Sequence, residues 1–282
     1  MDTQYLKAII DLKALQEYTH FTTTPPPEVL APYLERFWSV SWDLPSGHYF
    51  RQQIIPNPHV SLVHYQTEGH PTLETGTYIE GVVKKLFSID LVGSGFIVGA
   101  KFHVGGFSAF TPQKMRTFTN NKLPAGDFLA GYPWADLGTG SPFHPKSPDA
   151  FLDTFSQALL TDTLVLPPKA VEARELVHHI RQTDHLLTVD QLASEWGGSV
   201  RSLQRLFDTY VGVGPKWIIR MFRLQEVKTQ LEMGLDVPLA SVAADLGYVD
   251  QAHMIHDFKS IIGRPPATFV KSASQPTQPP LE

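Results

Sequence analysis

The sequence contains no cysteine among its 282 residues. Disulfide bonds, thiolate nucleophiles and cysteine-ligated zinc sites are therefore excluded for this chain. No run of about 18 apolar residues occurs, so no membrane-spanning helix is predicted. The opening residues lack the basic segment, apolar segment and cleavage site of a secretory signal peptide. These absences favour a cytoplasmic protein.

Positive charge is also scarce, since the net charge is −5 with neutral histidine. This balance argues against a general binder of polyanions. One region differs, because residues 199–228 hold six lysines or arginines against Asp208 and Glu226. The local sign of charge decides where a polyanion docks, so this region is the first candidate for a nucleic-acid contact.

The pattern of apolar residues predicts an α+β multidomain protein. Residues 4–17 have helical spacing, and the TTTPPP run at 22–27 ends any helix and requires extended backbone. Short segments rich in β-branched and aromatic residues follow from about Tyr33 to Thr119, as is typical of a sandwich or barrel. The predicted division is an N-terminal helix and proline-rich arm at 1–30, a β-rich domain at 31–160, a linker at 161–169, a helical domain at 170–272 and a disordered tail at 273–282.

The second half has clear signals for the start and end of helices. Helices are predicted over 149–160, 170–182, 189–195, 200–210, 215–232, 239–246 and 250–262. Thr188 and Ser199 are predicted N-caps, and Pro215 is a first-turn proline. The Gly263-Arg-Pro-Pro run ends the last of these helices.

An approximate internal repeat links VDQLASEWGGSVRSLQRLFDTYVGVGP with LASVAADLGYVDQAHMIHDFKSIIGRPP. Each copy has a short helix with a small residue (Ala193 or Ala243), a glycine turn, and a longer helix that contains a phenylalanine. Two helices joined by a tight turn are what a helix-turn-helix requires, because the second helix must project into the major groove. The repeat therefore predicts two helix-turn-helix units.

With these motifs, the C-terminal part resembles the AraC/XylS family of bacterial transcription regulators. The matching stretches are SVRSLQRLFDTYVGVGPKWIIRMFRLQ and AADLGYVDQAHMIHDFKSIIGRPPATF. The second is more specific, because it combines Gly-Tyr, Asp-Gln-x-His, Asp-Phe-Lys and Gly-x-x-Pro. The resemblance implies seven helices, with a rigid helix between two units whose recognition helices enter successive major-groove segments on one face of the DNA.

The N-terminal part is similar, over IIPNPHVSLVHY and FIVGAKFHVGGFSAF, to the β-rich sensor domains of one branch of that family. Val104 stands where the related Gly-x-x-Phe-x-Pro-Gly-Gly pattern has proline. Such domains are cupin-like barrels that bind small effectors or form dimers. The resemblance implies double-stranded promoter DNA as the partner, with a small-molecule effector, a second copy of the chain and, for an activator, RNA polymerase as further partners. No cofactor and no membrane are implied.

The first recognition helix is predicted to present a polar face to DNA. Arg205 can pair with guanine, and Gln204 with adenine, through two hydrogen bonds. The candidate DNA contacts of this unit are Ser199, Arg201, Ser202, Gln204, Arg205, Lys216 and Arg220. The alternatives are contact with phosphate or solvent only for the arginines of the helix, and internal ion pairs for Arg220 or Arg223.

The second unit poses a choice between a metal site and a DNA-reading helix, because His253 and His256 lie three residues apart. Zinc-peptidase helices space their histidines four apart around a glutamate, and a zinc site needs three or four protein ligands. The DNA-facing role is therefore favoured over a metal site and over a solvated helix surface. The candidate contacts are Asp250, Gln251, Ala252, His253, His256 and Lys259, with Ile255 nearby.

Individual residues of this second helix suit particular contacts. Gln251 can form two hydrogen bonds with adenine, and the methyl group of Ala252 can touch that of thymine. The family frequently has arginine where His256 stands, and a neutral histidine is a shorter and weaker partner for phosphate or guanine. Asp250 has a second explanation as the N-cap of the helix.

The β-rich domain offers a less definite set of binding residues. The candidates for an effector pocket are Trp38, Trp42, Arg51, His64, Tyr65, Lys101 and Phe102. Aromatic residues in strands are equally typical of plain core. A metal held by His59, His64 or His103 with Glu74 or Glu80 is disfavoured, because the His-x-His arrangement of metal cupins is missing.

The sequence therefore predicts a sequence-specific DNA-binding transcription regulator of the AraC type, controlled by a small molecule bound in the N-terminal domain. No Ser–His–Asp order, P-loop or glycine-rich dinucleotide turn is recognisable, so no catalytic residues are predicted. The alternatives are a cupin-like metal-dependent enzyme fused to a DNA-binding module and a ligand-independent dimeric regulator.

Overall fold

The computed structural model describes residues 9–10, 12–68, 70–129, 147–160, 164–183, 187–232 and 238–273. The strands are β1 (Ile9–Ile10), β2 (His20–Thr24), β3 (Leu34–Asp43), β4 (Tyr49–Ile54), β5 (Ser61–Thr67), β6 (Gly76–Glu80), β7 (Phe87–Val92), β8 (Ser94–Phe102) and β9 (Lys122–Pro124). The helices of the N-terminal part are α1 (Leu12–Tyr18) and α2 (Pro148–Leu159). Those of the C-terminal part are α3 (Pro168–Gln182), α4 (Val189–Trp196), α5 (Val200–Tyr210), α6 (Pro215–Glu232), α7 (Leu239–Asp245), α8 (Gln251–Ile262) and α9 (Pro266–Ala273).

The described strands lie in two antiparallel sheets. The small sheet has the order β1-β4-β7, and the large sheet has the order β2-β3-β8-β5-β6-β9. Phe50 and Leu91 of the small sheet pack in one cluster with Val63 and Ile97 of the large sheet. The N-terminal domain is therefore a pair of facing sheets rather than a closed barrel, which is broadly consistent with the predicted cupin-like fold.

Both faces of the large sheet are buried, which explains its near-continuous apolar sequences. On β8, Val98 and Phe102 pack in one cluster with Phe151 and Phe155 of α2. Ile97, next to Val98, packs instead in the cluster between the two sheets. This alternation arises because successive side chains of a strand point to opposite faces, and it decides which residues reach the space between the sheets.

The helix predicted for residues 4–17 is wrong over part of its described length. Ile9 and Ile10 form β1, which pairs with β4, and the helix runs from Leu12 to Tyr18. Both isoleucines are buried in the strand, so the strand accounts for these apolar residues as well as the predicted helix did. Within the predicted proline-rich arm, β2 pairs with β3 and belongs to the large sheet.

The C-terminal helices agree closely with the predicted bounds. Both α5 and α6 have the predicted ends, whereas α3 begins two residues earlier and α4 ends one residue later than predicted. Thr188 and Ser199 each form a capping box, as their positions indicated. Residues 161–163 of the predicted linker and 274–282 of the predicted tail lie outside the described residues.

The N-terminal domain packs against both helix-turn-helix units, the first formed by α4 and α5 and the second by α7 and α8. Val82 and Val104 belong to the core of the first unit, and Ile55 to that of the second. Gln225 Nε2 of α6 donates to the Pro56 carbonyl oxygen at 3.0 Å. The position of each unit is thus set partly by the β-rich domain. None of the described helices is long and apolar enough to cross a membrane.

Candidate nucleic-acid interface

The first unit turns at a glycine and starts its recognition helix with two serines. Gly197 ends α4 with a φ of +79°, a left-handed conformation that favours glycine. Ser199 Oγ accepts from the Ser202 backbone N–H at 3.1 Å, and Ser202 Oγ accepts from the Ser199 backbone N–H at 2.9 Å. The two serines predicted as DNA contacts therefore fix the start of α5 through a capping box.

The outward face of α5 consists of Arg201, Gln204 and Arg205, all of which are exposed. On the opposite face Leu203 and Phe207 are fully buried, as the helical spacing predicted. Within the described part of the chain, none of the three outward side chains has a hydrogen-bond or ion-pair partner. Their polar groups are therefore free to bind a ligand.

The second unit repeats this construction with different residues. Gly247 lies in the turn with a φ of +68°, and Gly263 ends α8 with a φ of +82°. Asp250 Oδ1 accepts from the His253 backbone N–H at 2.7 Å. Asp250 is thus the N-cap of α8, as the alternative to a DNA contact proposed. Such a cap typically stabilises a helix by about 1 kcal/mol.

The exposed side of α8 carries the predicted DNA contacts. Its exposed residues are Gln251, Ala252, His253, His256, Lys259 and Ser260, and the first five of these are predicted contacts. Met254, Phe258, Ile261 and Ile262 are buried, as predicted. The His253 ring meets the Tyr248 ring edge-on at 5.4 Å between centroids. The described residues contain no group of three or more His, Asp or Glu side chains that could hold a metal ion.

Arg220 forms an internal ion pair. The sequence predicted either a DNA contact or an internal ion pair for this residue. Its Nε and Nη2 donate to Asp257 Oδ2 and Oδ1 at 3.0 and 2.7 Å, and Nη2 also donates to Ser260 Oγ at 3.2 Å. Asp257 is buried, with 9% of its side chain exposed. Arg220 thus forms the internal ion pair that the sequence left open as an alternative, and this pair holds α8 against α6.

Other basic residues of the 199–228 region are also occupied within the protein. The buried Lys228 donates to Glu232 Oε2 at 2.6 Å. The Arg223 guanidinium lies 5.9 Å from the centroid of the Tyr248 ring, an arrangement typical of a cation–π contact. Lys216, like the two arginines of α5, is exposed and has no ion-pair partner among the described residues. The free cationic surface is therefore smaller than the sequence suggested, and it lies around α5.

A cavity of about 530 Å³ lies between the two sheets, within the size range of small-molecule sites. Trp38, Tyr65 and Lys101 of the predicted effector set line it. The Tyr65 hydroxyl donates to Glu80, and the Lys122 ammonium lies 3.5 Å from the centroid of the Tyr65 ring. Burial raises the pKa of Glu80. The cavity is thus mainly apolar with a compact polar cluster on its wall.

Two other members of the predicted effector set point away from this cavity because of strand alternation. His64 precedes Tyr65 on β5, and its ring stacks on Phe151 of α2 at 4.3 Å between centroids. Phe102 follows Lys101 on β8 and is fully buried in the same cluster. Adjacent side chains of a strand point to opposite faces, so the structure places only one member of each predicted pair, Tyr65 or Lys101, at this cavity.

The remaining two predicted effector residues also lie outside the cavity wall. Trp42 is buried and its Nε1 donates to the Val92 carbonyl oxygen at 3.1 Å, so it acts as core. Arg51 is exposed and donates to both carboxylate oxygens of Asp90, at 2.6 and 2.7 Å. Its guanidinium pairs across β4 and β7 on the solvent side of the small sheet.

The residues considered for a cupin metal are divided between the two faces of the large sheet, and only His59 and Glu80 line the cavity. His59 Nδ1 lies 2.9 Å from the Phe102 carbonyl oxygen, and burial lowers the pKa of His59 to about 3. His64 lies on the α2 side of the large sheet, whereas Glu80 lies on the cavity side. Among the described residues, this set therefore does not bring together the three ligands that a metal ion needs.

Sequence reasoning missed three residues that the structure places at these sites. Glu80 was considered only for a metal, and Lys122 was not considered, although both line the cavity with Tyr65. Lys85, in the loop between β6 and β7, lies beside α8. Strand alternation could have predicted that Glu80 points into the space between the sheets. Nothing in the local sequence indicates that Lys85 lies beside a helix more than 160 residues later.

Comparison with known proteins finds separate family matches in the two halves of the chain. Residues 22–124 match the family described as Domain of unknown function (DUF6597), and residues 192–272 match the family described as Helix-turn-helix domain. A "Putative AraC-like transcription regulator" of Streptomyces antibioticus is 31% identical over 104 residues, which are 37% of this chain and 33% of that protein. The chain thus spans about a third of the length of this curated relative.

The search of solved structures matches the C-terminal domain of AraT, a response regulator from Geobacillus stearothermophilus. The identity is 20% and the TM-score 0.34, and the match covers 40% of this chain and 93% of that one. ToxT from Vibrio cholerae has 10% identity and a TM-score of 0.39, with coverage of 91% of this chain and 98% of that one. The C-terminal part of the chain is thus similar to helix-turn-helix proteins that include an AraC-like regulator, and the β-rich N-terminal part matches a family of unknown function.

Proposed function

We propose that this protein is a cytoplasmic, sequence-specific transcription regulator that acts by binding DNA rather than by catalysis. The observation that carries the proposal is the pair of recognition helices, α5 and α8, that both present polar side chains to solvent. Solvent-exposed polar residues on the second helix of such a unit are placed to reach base edges in the major groove. Promoter DNA is therefore the proposed partner.

The exposed residues divide into base-reading and phosphate-binding groups. Arg205 on α5 has two donors that can pair with guanine, and Gln204 on α5 and Gln251 on α8 each have the donor and acceptor that recognise adenine. Lys216 and Lys259 are exposed cations suited to phosphate. Arg220 and the serine caps act indirectly, because they hold the recognition helices in position.

A protection footprint tests this function directly. The full chain would be bound to DNA from upstream of its own and neighbouring operons, since such regulators often lie beside the genes they control. We expect two protected segments, with centres about 10 base pairs apart, because the two recognition helices enter successive major-groove segments on one face of the DNA. Protection that is uniform, or absent at every salt concentration, would contradict the proposal.

Replacing His256 with arginine is expected to tighten DNA binding by about threefold to tenfold. A guanidinium is longer than an imidazole and carries a permanent charge, so it forms stronger hydrogen bonds with phosphate or guanine. Affinity would be measured by fluorescence anisotropy with wild-type protein and His256→Gln as the uncharged control. Affinity that stays unchanged or falls with arginine would show that His256 does not face the DNA.

We infer that the cavity between the sheets is the effector site and that its ligand is a small, mainly apolar molecule. Several residues at the cavity wall also contact the rest of the protein. Pro56 accepts the hydrogen bond from Gln225 of α6, and Asn120 Oδ1 accepts from the Lys84 backbone N–H at 2.9 Å. Occupation of the cavity would therefore alter the arrangement of the two units through α6 and the β6–β7 loop, provided that the ligand favours one arrangement.

Filling the cavity is expected to abolish ligand binding. Val40 lies on the cavity wall, and Val40→Phe adds a ring to the space between the sheets. Compounds from a library of small apolar molecules that raise the melting temperature of the wild-type protein should not stabilise this variant. Val29→Phe is the matched control, because Val29 is 61% exposed and lies outside the cavity. Equal stabilisation of Val40→Phe and wild type would place the ligand elsewhere.

A further inference from the structure

The loop between β6 and β7 is anchored to the end of the second recognition helix. The Leu86 backbone N–H donates to the Ile261 carbonyl oxygen at 2.8 Å. Ile261 lies in the last turn of α8, where carbonyl groups lack intrahelical partners, and Pro265, four residues on, has no N–H to donate. The loop thus supplies the hydrogen bond that the helix end cannot make for itself.

The other end of this loop is held just as firmly. The Asn120 backbone N–H donates to the Val82 carbonyl oxygen at 2.9 Å, while its side chain accepts from Lys84. Asn120 has a φ of +59°, a left-handed conformation that asparagine tolerates better than most residues. Leu86 packs against the core of the second unit. The N-terminal domain therefore presents this loop beside α8 in a defined position.

A groove separates the loop from the helix, and its charge is positive. The groove, about 540 Å³ in volume, is lined by Lys85, Leu86, His256, Lys259, Ser260 and Gly263, among others. Lys85 and Lys259 are exposed and have no carboxylate partner among the described residues. No carboxylate lines the groove, since Asp257 of the same helix is buried against Arg220. An anion entering the groove would meet two uncompensated ammonium groups.

The groove continues the surface that α8 presents for DNA. His253, His256 and Lys259 follow one another at intervals of three residues, which keeps them on neighbouring parts of one helix side. A recognition helix in the major groove is flanked by the phosphate backbones of the duplex. We propose that the β6–β7 loop is part of the DNA interface, with Lys85 and Lys259 binding backbone phosphates that flank the second half-site.

This inference rests on the proposed DNA-binding function and adds a contact from the N-terminal domain. Each phosphate contact contributes about 0.9 to the slope of log affinity against log salt concentration on B-DNA. Because this slope is negative, Lys85→Gln should make it less steep by about 0.9. The variant should therefore lose about 3.5-fold more affinity relative to wild type at 50 mM than at 200 mM salt.

The test compares full-length variants on two duplexes, one selected by the wild-type chain from a randomised pool and one shuffled version of it. Lys85→Gln and Lys259→Gln should weaken binding to both duplexes by a similar factor, because phosphate carries no sequence information. Lys85→Arg should restore the wild-type slope. Lys13→Gln is the control, since Lys13 is exposed on α1, whose Ala14 and Leu15 pack in a cluster without C-terminal residues.

The outcomes separate this inference from the function on which it rests. An unchanged salt slope for Lys85→Gln, with normal binding by the wild-type chain, would overturn the loop contact alone. A reduced slope that Lys85→Arg does not restore would also overturn it, because the effect would then come from a displaced loop. A wild-type chain without any sequence preference would overturn the proposed function, whatever the slopes of the variants.

Discussion

Arg220→Ala is expected to lower the free energy of unfolding by about 3 kcal/mol, because it leaves a buried carboxylate without its partner. The Asp257 side chain is 9% exposed, whereas that of Arg220 is 32% exposed. Removing the arginine is therefore more destabilising than removing the aspartate, because it leaves the more buried charge unpaired. DNA affinity should fall as well, since α8 loses its paired link to α6. Chemical denaturation and DNA titration of the same samples would measure both effects.

The controls for this prediction separate an internal role from a DNA contact. Arg220→Ala combined with Asp257→Ala should be less destabilising than the sum of the single variants, because the two side chains interact directly. Lys216→Ala on the same helix should change stability by no more than about 0.5 kcal/mol, since Lys216 is exposed and unpaired among the described residues. If Arg220→Ala keeps full stability but reduces the salt slope of DNA binding, Arg220 contacts phosphate and the ion pair is unimportant.

Arg205→Ala is expected to remove the base preference that α5 contributes to the DNA site, while leaving the fold intact. A bidentate contact between arginine and guanine discriminates against other bases by about 1–3 kcal/mol. Arg205 is exposed and its side chain has no hydrogen-bond or ion-pair partner among the described residues, so the free energy of unfolding should stay within about 0.5 kcal/mol of the wild-type value. The measurement is the ratio of affinities for the specific and the shuffled duplex.

The matched control for Arg205 is an exposed cation assigned to phosphate. Lys216→Ala should weaken binding to the specific and the shuffled duplex by similar factors, so that their ratio is kept. The same uniform loss with Arg205→Ala would assign this arginine to phosphate and contradict its base-reading role. Loss of binding together with a lower melting temperature would point to unfolding rather than to recognition.

The helical domain was predictable because its determinants are local. Apolar spacing identifies the buried face of α5, and Thr188, Ser199 and Gly263 mark helix ends through hydrogen bonds within a few residues of sequence. The same spacing failed at Ile9 and Ile10, because two adjacent buried residues suit a short strand as well as a helix. Strand pairing with β4, over 40 residues away, decides between them.

Site residues were harder to predict, because their roles depend on partners far away in the sequence. Whether Arg220 binds phosphate or Asp257 depends on how α6 packs on α8, which no local pattern shows. Lys85 reaches the second unit only because the two domains pack together. His64 and Tyr65 are different, since strand alternation alone predicts that their side chains point to opposite faces of the sheet.

The central claim is that α5 and α8 read DNA sequence, and selection from a randomised duplex pool tests it most directly. The wild-type chain should enrich a site with two conserved segments about 10 base pairs apart. Arg205→Ala should lose the preference within one segment and keep the other. Enrichment of no sequence by the wild-type chain, or of the same full site by wild type and Arg205→Ala, would contradict the claim.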